Sequence, residues 1–307
     1  MPVDESYRKQ VSLLIKIVPL VAKEPVFALK GGTAINLFLR NMPRLSVDID
    51  LTYLPVKDRA SSLTEIDAAM RRIAKEIERG VRGAKVSAST PKGEKTITKL
   101  IVRADGAQIK IEVTPVLRGC VYEPTVRSVS PRVEAEFGFA EMQVVSFPDL
   151  YAGKIVAALD RQHPRDLFDA RDLLTHEGID DKLRKAFIVY LISHDRPMAE
   201  VLAPPRLDIS EEYKRGFEGM INDSVGLDEL LKAREVLIAE IVGKMPDHHK
   251  RFLISVKRGE PDWALLDLPV AKDLPAVRWK LENLAKLNSE KRAELLKRLN
   301  AALGIKD

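Results

Sequence analysis

The chain has 307 residues, 45% of them hydrophobic and 31% charged, with a formal net charge of +5. That balance belongs to a water-soluble globular protein long enough for two ordinary domains. It excludes a disordered chain, and a single cysteine, Cys120, excludes an intrachain disulfide framework and makes a cytoplasmic setting the simplest reading. The mildly basic excess suits a nucleic acid or an acidic partner without requiring either.

In chain order, the apolar run 11–22 is broken by Lys16 and preceded by Asp4 and Glu5. It predicts an amphipathic helix over 5–24 rather than a signal peptide or a membrane span. A short strand over 26–30 leads into Gly31-Gly32, then a short helix over 33–39 and a strand over 47–54. Leu63, Ile66, Met70, Ile73 and Ile77 form one stripe of a long helix over 58–79. A strand over 84–90 follows, then a hairpin of 95–103 and 108–114 turning near Asp105-Gly106. Short strands continue to Val145, and Pro148 marks a break. Beyond it the pattern is helical over 149–161, 165–175, 180–194, 226–242 and 247–258, with two more helices in the tail and a loop at Pro204-Pro205. The expected domains are 1–146 and 147–307.

The strand over 47–54 carries Asp48 and Asp50, which alternation places on one face. Two carboxylates at that spacing repel unless a cation or proton neutralises them, and Mg²⁺ suits such oxygens together with substrate phosphates. Gly31, Gly32 and Thr33 offer backbone N–H groups and a hydroxyl to phosphate oxygens at a helix start. Ser46 and Arg44 sit just ahead of the aspartates. This is the logic of a nucleotidyl-transfer site.

Lys154 lies on an otherwise apolar or small-residue helix with no acid four residues away. Arg161, seven residues on, shares its face, and the two make a basic stripe suited to a triphosphate. Asp166 projects to the edge of the apolar arc of the next helix and needs a cationic partner, for which Lys154 is the candidate. Asp169 projects with Arg165 and Asp172 onto the polar face. His248 and His249 point apart as helix neighbours, so they are not expected to share a metal. No Cys-x-x-Cys, Gly-x-Ser-x-Gly or Walker-type motif is present. The segment from Arg278 to Asp307 holds eight Lys or Arg against four Asp or Glu, and Lys95, Lys99 and Arg103 recur along one strand. Both are candidate surfaces for RNA phosphates.

These residues carry a resemblance. Lys30-Gly31-Gly32-Thr33-Ala34, then Arg44-x-Ser46-x-Asp48-x-Asp50-Leu51, resembles the DNA polymerase β-like nucleotidyltransferase superfamily. With Lys154 in Asp149–Leu159, Arg161, Arg165-Asp166-Leu167-x-Asp169 and the segment Lys257 to Trp263, the chain resembles the AbiEii/AbiGii (MenT-like) toxin family from about Phe27 to about Trp279. The resemblance implies an α/β nucleotidyltransferase domain with a mixed sheet, followed by a mostly α-helical C-terminal domain, with the site in a cleft between them. It implies Asp48, Asp50, Lys154 and Asp166 as catalytic residues. It also implies Gly31, Gly32, Thr33, Ser46, Lys154 and Arg161 as nucleotide-binding residues. A third carboxylate usually completes such a metal site, and Glu112, sharing a strand face with Lys110, is the candidate. The activity implied is Mg²⁺-dependent transfer of a nucleoside monophosphate from an NTP, GTP or CTP, with loss of pyrophosphate. The biological role implied is that of a type IV toxin–antitoxin (abortive infection) toxin. Its acceptor would be the tRNA 3′ end, and its partner a cognate antitoxin protein or that antitoxin's kinase or regulator. The rivals are a small-molecule, antibiotic-type nucleotidyltransferase and a catalytically dead NTP-binding interaction module.

Overall fold

A computed structural model of the chain describes residues 4–91, 93, 95–221 and 225–305. Two compact units divide it. The first comprises Met1–Ser146 with Gly216–Ser224, and the second Phe147–Arg215 with Val225–Asp307.

The first unit opens with α1 (Glu5–Val21), started by Asp4, whose side chain accepts from the Ser6 N–H at 2.8 Å. Next come β1 (Phe27–Lys30), then α2 (Gly31–Thr33), which runs on as a π-helical turn over Ala34–Leu39. Then follow β2 (Asp48–Tyr53), α3 (Arg59–Gly80), β3 (Lys85–Ser89), β4 (Lys99–Ala104) and β5 (Ala107–Arg118). Finally β6 (Thr125–Ser128), α4 (Pro131–Phe137) and β7 (Glu141–Val144) complete the main run. The seven strands form one mixed sheet in the order β3-β4-β5-β2-β1-β7-β6. β2 runs parallel to β5 and β1 parallel to β7, while the other neighbours are antiparallel. The β4–β5 turn is made at Asp105 and Gly106, both with positive φ, as a two-residue hairpin turn matching the sheet twist requires. On α3, Ile66, Met70, Ile73 and Ile77 are buried, so the apolar stripe meets the core.

The segment Gly216–Ser224 rejoins this unit. Leu45 N–H donates to the Met220 carbonyl at 2.8 Å, and Arg44 bridges Ile221 in antiparallel fashion. These bonds fix the approach to β2.

The second unit is helical. It contains α5 (Phe147–Asp160), α6 (Pro164–His176), α7 (Asp181–Ser193), α8 (Met198–Leu202) and α9 (Ser210–Gly216), whose last residue falls at the unit's edge. It continues with α10 (Leu227–Ile238), α11 (Asp247–Arg258), α12 (Pro275–Ala285) and α13 (Ser289–Ala302). Among the described residues no helix is long and apolar enough to cross a membrane.

Candidate active site

The Gly-Gly turn and the first acidic pair are fitted to one another. Lys30 pairs across the sheet with Asp50, so β1 ends and α2 begins against the carboxylates of β2. Gly31 has φ +75°, and a Cβ there would lie 2.6 Å from Asp50 Oδ2. Glycine is therefore required twice over, by backbone conformation and by space. A Cβ at Gly32 would lie 2.7 Å from Arg44 Nη2 and 3.0 Å from Ser46 Oγ. The Thr33 hydroxyl donates to the Asp48 carbonyl, and Thr33 Oγ1 and Ser46 Oγ are 3.0 Å apart. Thr33 and Ser46 are both buried, so they tie the start of α2 to the start of β2. Asn36 Nδ2 adds a bond to the Gly32 carbonyl at 2.9 Å.

The parallel pairing of β2 with β5 sets Asp48 beside Lys110 and Asp50 beside Glu112. On this face Lys110 Nζ lies 2.9 Å from Glu112 Oε2 and 3.9 Å from Asp48 Oδ2, while Lys99 Nζ lies 3.6 Å from Glu112 Oε1. Burial pushes the Asp50 carboxyl above its usual range. Lys30 and Lys110 oppose that, and Asp48 and Glu112 reinforce it. Burial pushes Lys30 down, and the nearby Asp50 offsets part of this. Burial also works against charge on Glu112 and Lys110, but their mutual bond outweighs it: Glu112 titrates below its ordinary value and Lys110 above. The oxygen donor set of Asp48, Asp50 and Glu112 fits a hard divalent cation.

The second cluster is built at the α5–α6 corner. Gln162, at φ +51° and fully buried, donates to the Pro205 carbonyl at 2.6 Å and accepts from Leu207 N–H at 3.1 Å and Arg234 Nη1 at 2.9 Å. The His163 Nδ1 accepts from Arg165 N–H at 3.1 Å, capping α6, and Pro164 occupies its first position. This corner brings Lys154 Nζ to 2.7 Å from Asp166 Oδ1 and 2.9 Å from Asp169 Oδ2. Arg161 Nε reaches the other oxygen of Asp166 at 2.6 Å. Lys154 is 7% exposed and both aspartates 1%, whereas the Arg161 side chain is 62% exposed. Burial alone would raise the Asp166 carboxyl, but Lys154 and Arg161 hold it far below the ordinary carboxylate range.

The sequence signature described as "Nucleotidyl transferase AbiEii toxin, Type IV TA system" matches residues 12–283. The chain belongs to the AbiEii nucleotidyltransferase toxin family. It is thus a nucleotidyltransferase toxin of a type IV toxin–antitoxin system, a class that implies an NTP substrate and an antitoxin partner. No curated protein sequence is similar enough to count as a match. Among solved structures, MenT4, a nucleotidyltransferase toxin from Mycobacterium tuberculosis H37Rv, superposes with a TM-score of 0.60 at 16% identity, covering 91% of this chain and 93% of that one. At that identity the likeness establishes the fold. The α/β architecture, a mixed seven-stranded sheet in a mostly helical chain, is that of this toxin group.

Within this AbiEii chain the structure gathers Gly31, Gly32, Thr33, Ser46, Asp48, Asp50 and Glu112 in the first unit, and Lys154, Arg161 and Asp166 in the second. Four expectations need correction. Asp169 is not on the polar face of α6. It turns inward to Lys154 Nζ, because the α5–α6 corner sets that part of α6 against α5. Arg44, as a loop arginine expected in solvent, is instead buried, with Nη1 donating to the Leu45 carbonyl at 2.9 Å and the side chain packed on Gly32. Lys95 precedes β4, and Lys99 is turned to Glu112, so Lys95, Lys99 and Arg103 do not form one strand stripe. The rings of His248 and His249 lie together, with centroids 4.2 Å apart. Asn36 and Gln162 are site-building residues that sequence reasoning passed over. For Gln162 the available signal was a polar residue at a sharp helix–helix corner.

Proposed function

We propose that this toxin transfers a nucleoside monophosphate from an NTP, GTP or CTP, to the 3′ end of tRNA with release of pyrophosphate. The observation that carries the reading is the fit of Gly31 against Asp50, with Asp48 and Glu112 on the same face. The start of α2 stands against the Asp50 carboxylate, so a cation between these carboxylates and a triphosphate would offset their repulsion. Asp48, Asp50 and Glu112 would hold Mg²⁺, which when bound would offset charge on the triphosphate and favour ionisation of the attacking hydroxyl. In the transfer the acceptor oxygen bonds to the α-phosphorus as the bond to the β-phosphate breaks, and pyrophosphate carries off the electron pair. The N–H groups of Gly31 and Gly32 are proposed to receive phosphate oxygens. Thr33 and Ser46 act by fixing this loop to β2, since their hydroxyls are already bonded. Lys154 and Arg161 are proposed as phosphate contacts, with Asp166 holding both.

The test is purified protein with Mg²⁺, each labelled NTP in turn and total tRNA, resolved on a denaturing gel. One NTP should label a tRNA-sized band and release labelled pyrophosphate from its γ-labelled form. Label appearing on no RNA, but on a small cationic acceptor instead, would overturn the tRNA reading.

A further inference from the structure

Outside the transfer site, the second unit holds a group of donors that the nucleotidyl chemistry does not use. Asp181 is the first residue of α7, and His248 and His249 lie in the first turn of α11. One ligand atom from each of the three lies within 4.8 Å of the others, and His249 Nε2 is 4.0 Å from Asp181 Oδ1. His249 is fully buried, yet neither ring nitrogen has a hydrogen-bond partner. An orphaned buried polar atom forfeits its bonds to water without replacement, so a fully enclosed imidazole with two of them is incomplete as it stands. His248 and Asp181 are exposed, which leaves an open side for entry and for water.

We propose that Asp181, His248 and His249 form a binding site for a transition-metal cation of the Zn²⁺ class. Two imidazoles and one carboxylate are the donor set of an open tetrahedral site whose fourth position holds water. Nitrogen donors of this kind select Zn²⁺, Co²⁺ or Ni²⁺ over Mg²⁺, which prefers oxygen. Ligands about 2.0–2.1 Å from one ion stand roughly 3.3 Å apart in a tetrahedron, so the donors must close by about an ångström. Side-chain rotation of the two exposed residues can supply that. The charges around the site permit it. Lys185 Nζ is 3.0 Å from Asp181 Oδ2 but also 3.2 Å from Asp267 Oδ2, so it keeps a partner when Asp181 turns to the metal. The Arg184 guanidinium is occupied by the carbonyls of Ile241 and Glu240 at 2.9 and 3.0 Å. A metal held there would pin the first turn of α7 to the first turn of α11 and satisfy one orphaned nitrogen of His249.

The test uses the full chain after chelator treatment. Zn²⁺ is titrated in competition with a chromophoric chelator, and thermal midpoints are read with and without Zn²⁺ or Mg²⁺. To exclude the acidic face of β2, the measurements are repeated in Asp48→Ala. Wild type and Asp48→Ala should each bind one Zn²⁺ per chain and gain several degrees in midpoint, with no gain from Mg²⁺ in Asp48→Ala. His248→Ala and Asp181→Asn, both at exposed positions that leave the core intact, should each lose at least tenfold in Zn²⁺ affinity and most of the midpoint gain. Substoichiometric binding, binding lost with Asp48, or equal binding by His248→Ala and Asp181→Asn would overturn the site.

Discussion

Asp50 leaves no room for a side chain at Gly31: the carboxylate Oδ2 lies where a Cβ would come within 2.6 Å. The two residues are nineteen apart in sequence, and the antiparallel pairing of Lys30 with Asp50 is what brings them into register. The acid and the Gly-Gly turn are consequently one structural unit, and neither can be altered without the other.

Gly31→Ala should therefore cost more than an ordinary glycine replacement. The positive φ alone costs about 1 kcal/mol, and displacing Asp50 adds to it. Transfer should fall at least a hundredfold, while thermal unfolding shows a folded protein of somewhat lower midpoint. An alanine variant with normal transfer would mean that the position of Asp50 is unimportant.

Lys154 and Asp166 should behave as a pair. Removing Asp166 still leaves Lys154 with Asp169, and removing Lys154 still leaves Asp166 with Arg161, so each loss should fall short of the about 3–5 kcal/mol of a wholly uncompensated buried charge, and the double substitution Lys154→Met with Asp166→Asn should cost little more than the worse single one. The acid side has a defined sign. The folded-state pKa of Asp166 is depressed, so its stabilisation is present above the ordinary carboxylate range and is lost as pH falls towards the folded value. Urea unfolding from pH 7 down to pH 3 should show a steeper decline for wild type than for Asp166→Asn. Parallel declines, or additive losses in the cycle, would contradict the pairing.

Lys257 is 3% exposed, and no acid pairs with it among the described residues. Burial, with help from Lys280 and Arg298, pushes its ammonium down to about 8. The folded value is below the unfolded one. Stability should therefore rise as pH climbs from about 8 towards 10.5, where the folded state sheds a proton that the unfolded chain keeps. Lys257→Met should be more stable at pH 7 by on the order of 2 kcal/mol and should lack that rise. Denaturant midpoints at pH 7 and pH 10 for both proteins check this.

Much of this was legible in the sequence because it is local. Gly31-Gly32 and the alternation of Asp48 with Asp50 need only the geometry of one turn and one strand, and the Asp105-Gly106 turn announces its hairpin. What was hidden depends on pairing between distant segments. That Lys99 faces Glu112 follows from the β4–β5 register, which begins at Lys99 rather than Lys95. The inward turn of Asp169 follows from the corner that Gln162 locks, since a helical projection knows nothing of the neighbouring helix. The closeness of His248 and His249 is likewise a matter of side-chain rotation about a shared helix start. The return of Gly216–Ser224 to the first unit rests on bonds to Leu45 and Arg44 that no periodicity reports.

If the acceptor is RNA, the exposed Lys95 and Arg103 are the basic residues of this region left to meet its phosphates. Replacing both by Gln should weaken tRNA binding at low salt and lessen its salt dependence, by about 0.7 to 0.9 log units per log unit of salt for each phosphate no longer neutralised. NTP affinity should not change. An unaltered salt slope in filter binding would place the RNA elsewhere on the surface.

If the carboxylate face of β2 performs the transfer, single-turnover transfer of labelled NMP to tRNA by Asp50→Ala beside wild type should show it. Circular dichroism first confirms that both are folded. Loss of a metal-bearing carboxylate should cost several kcal/mol of transition-state stabilisation, a fall of roughly a thousandfold or more in rate. Transfer by Asp50→Ala within a few-fold of wild type, with the same Mg²⁺ requirement, would show that the chemistry lies elsewhere.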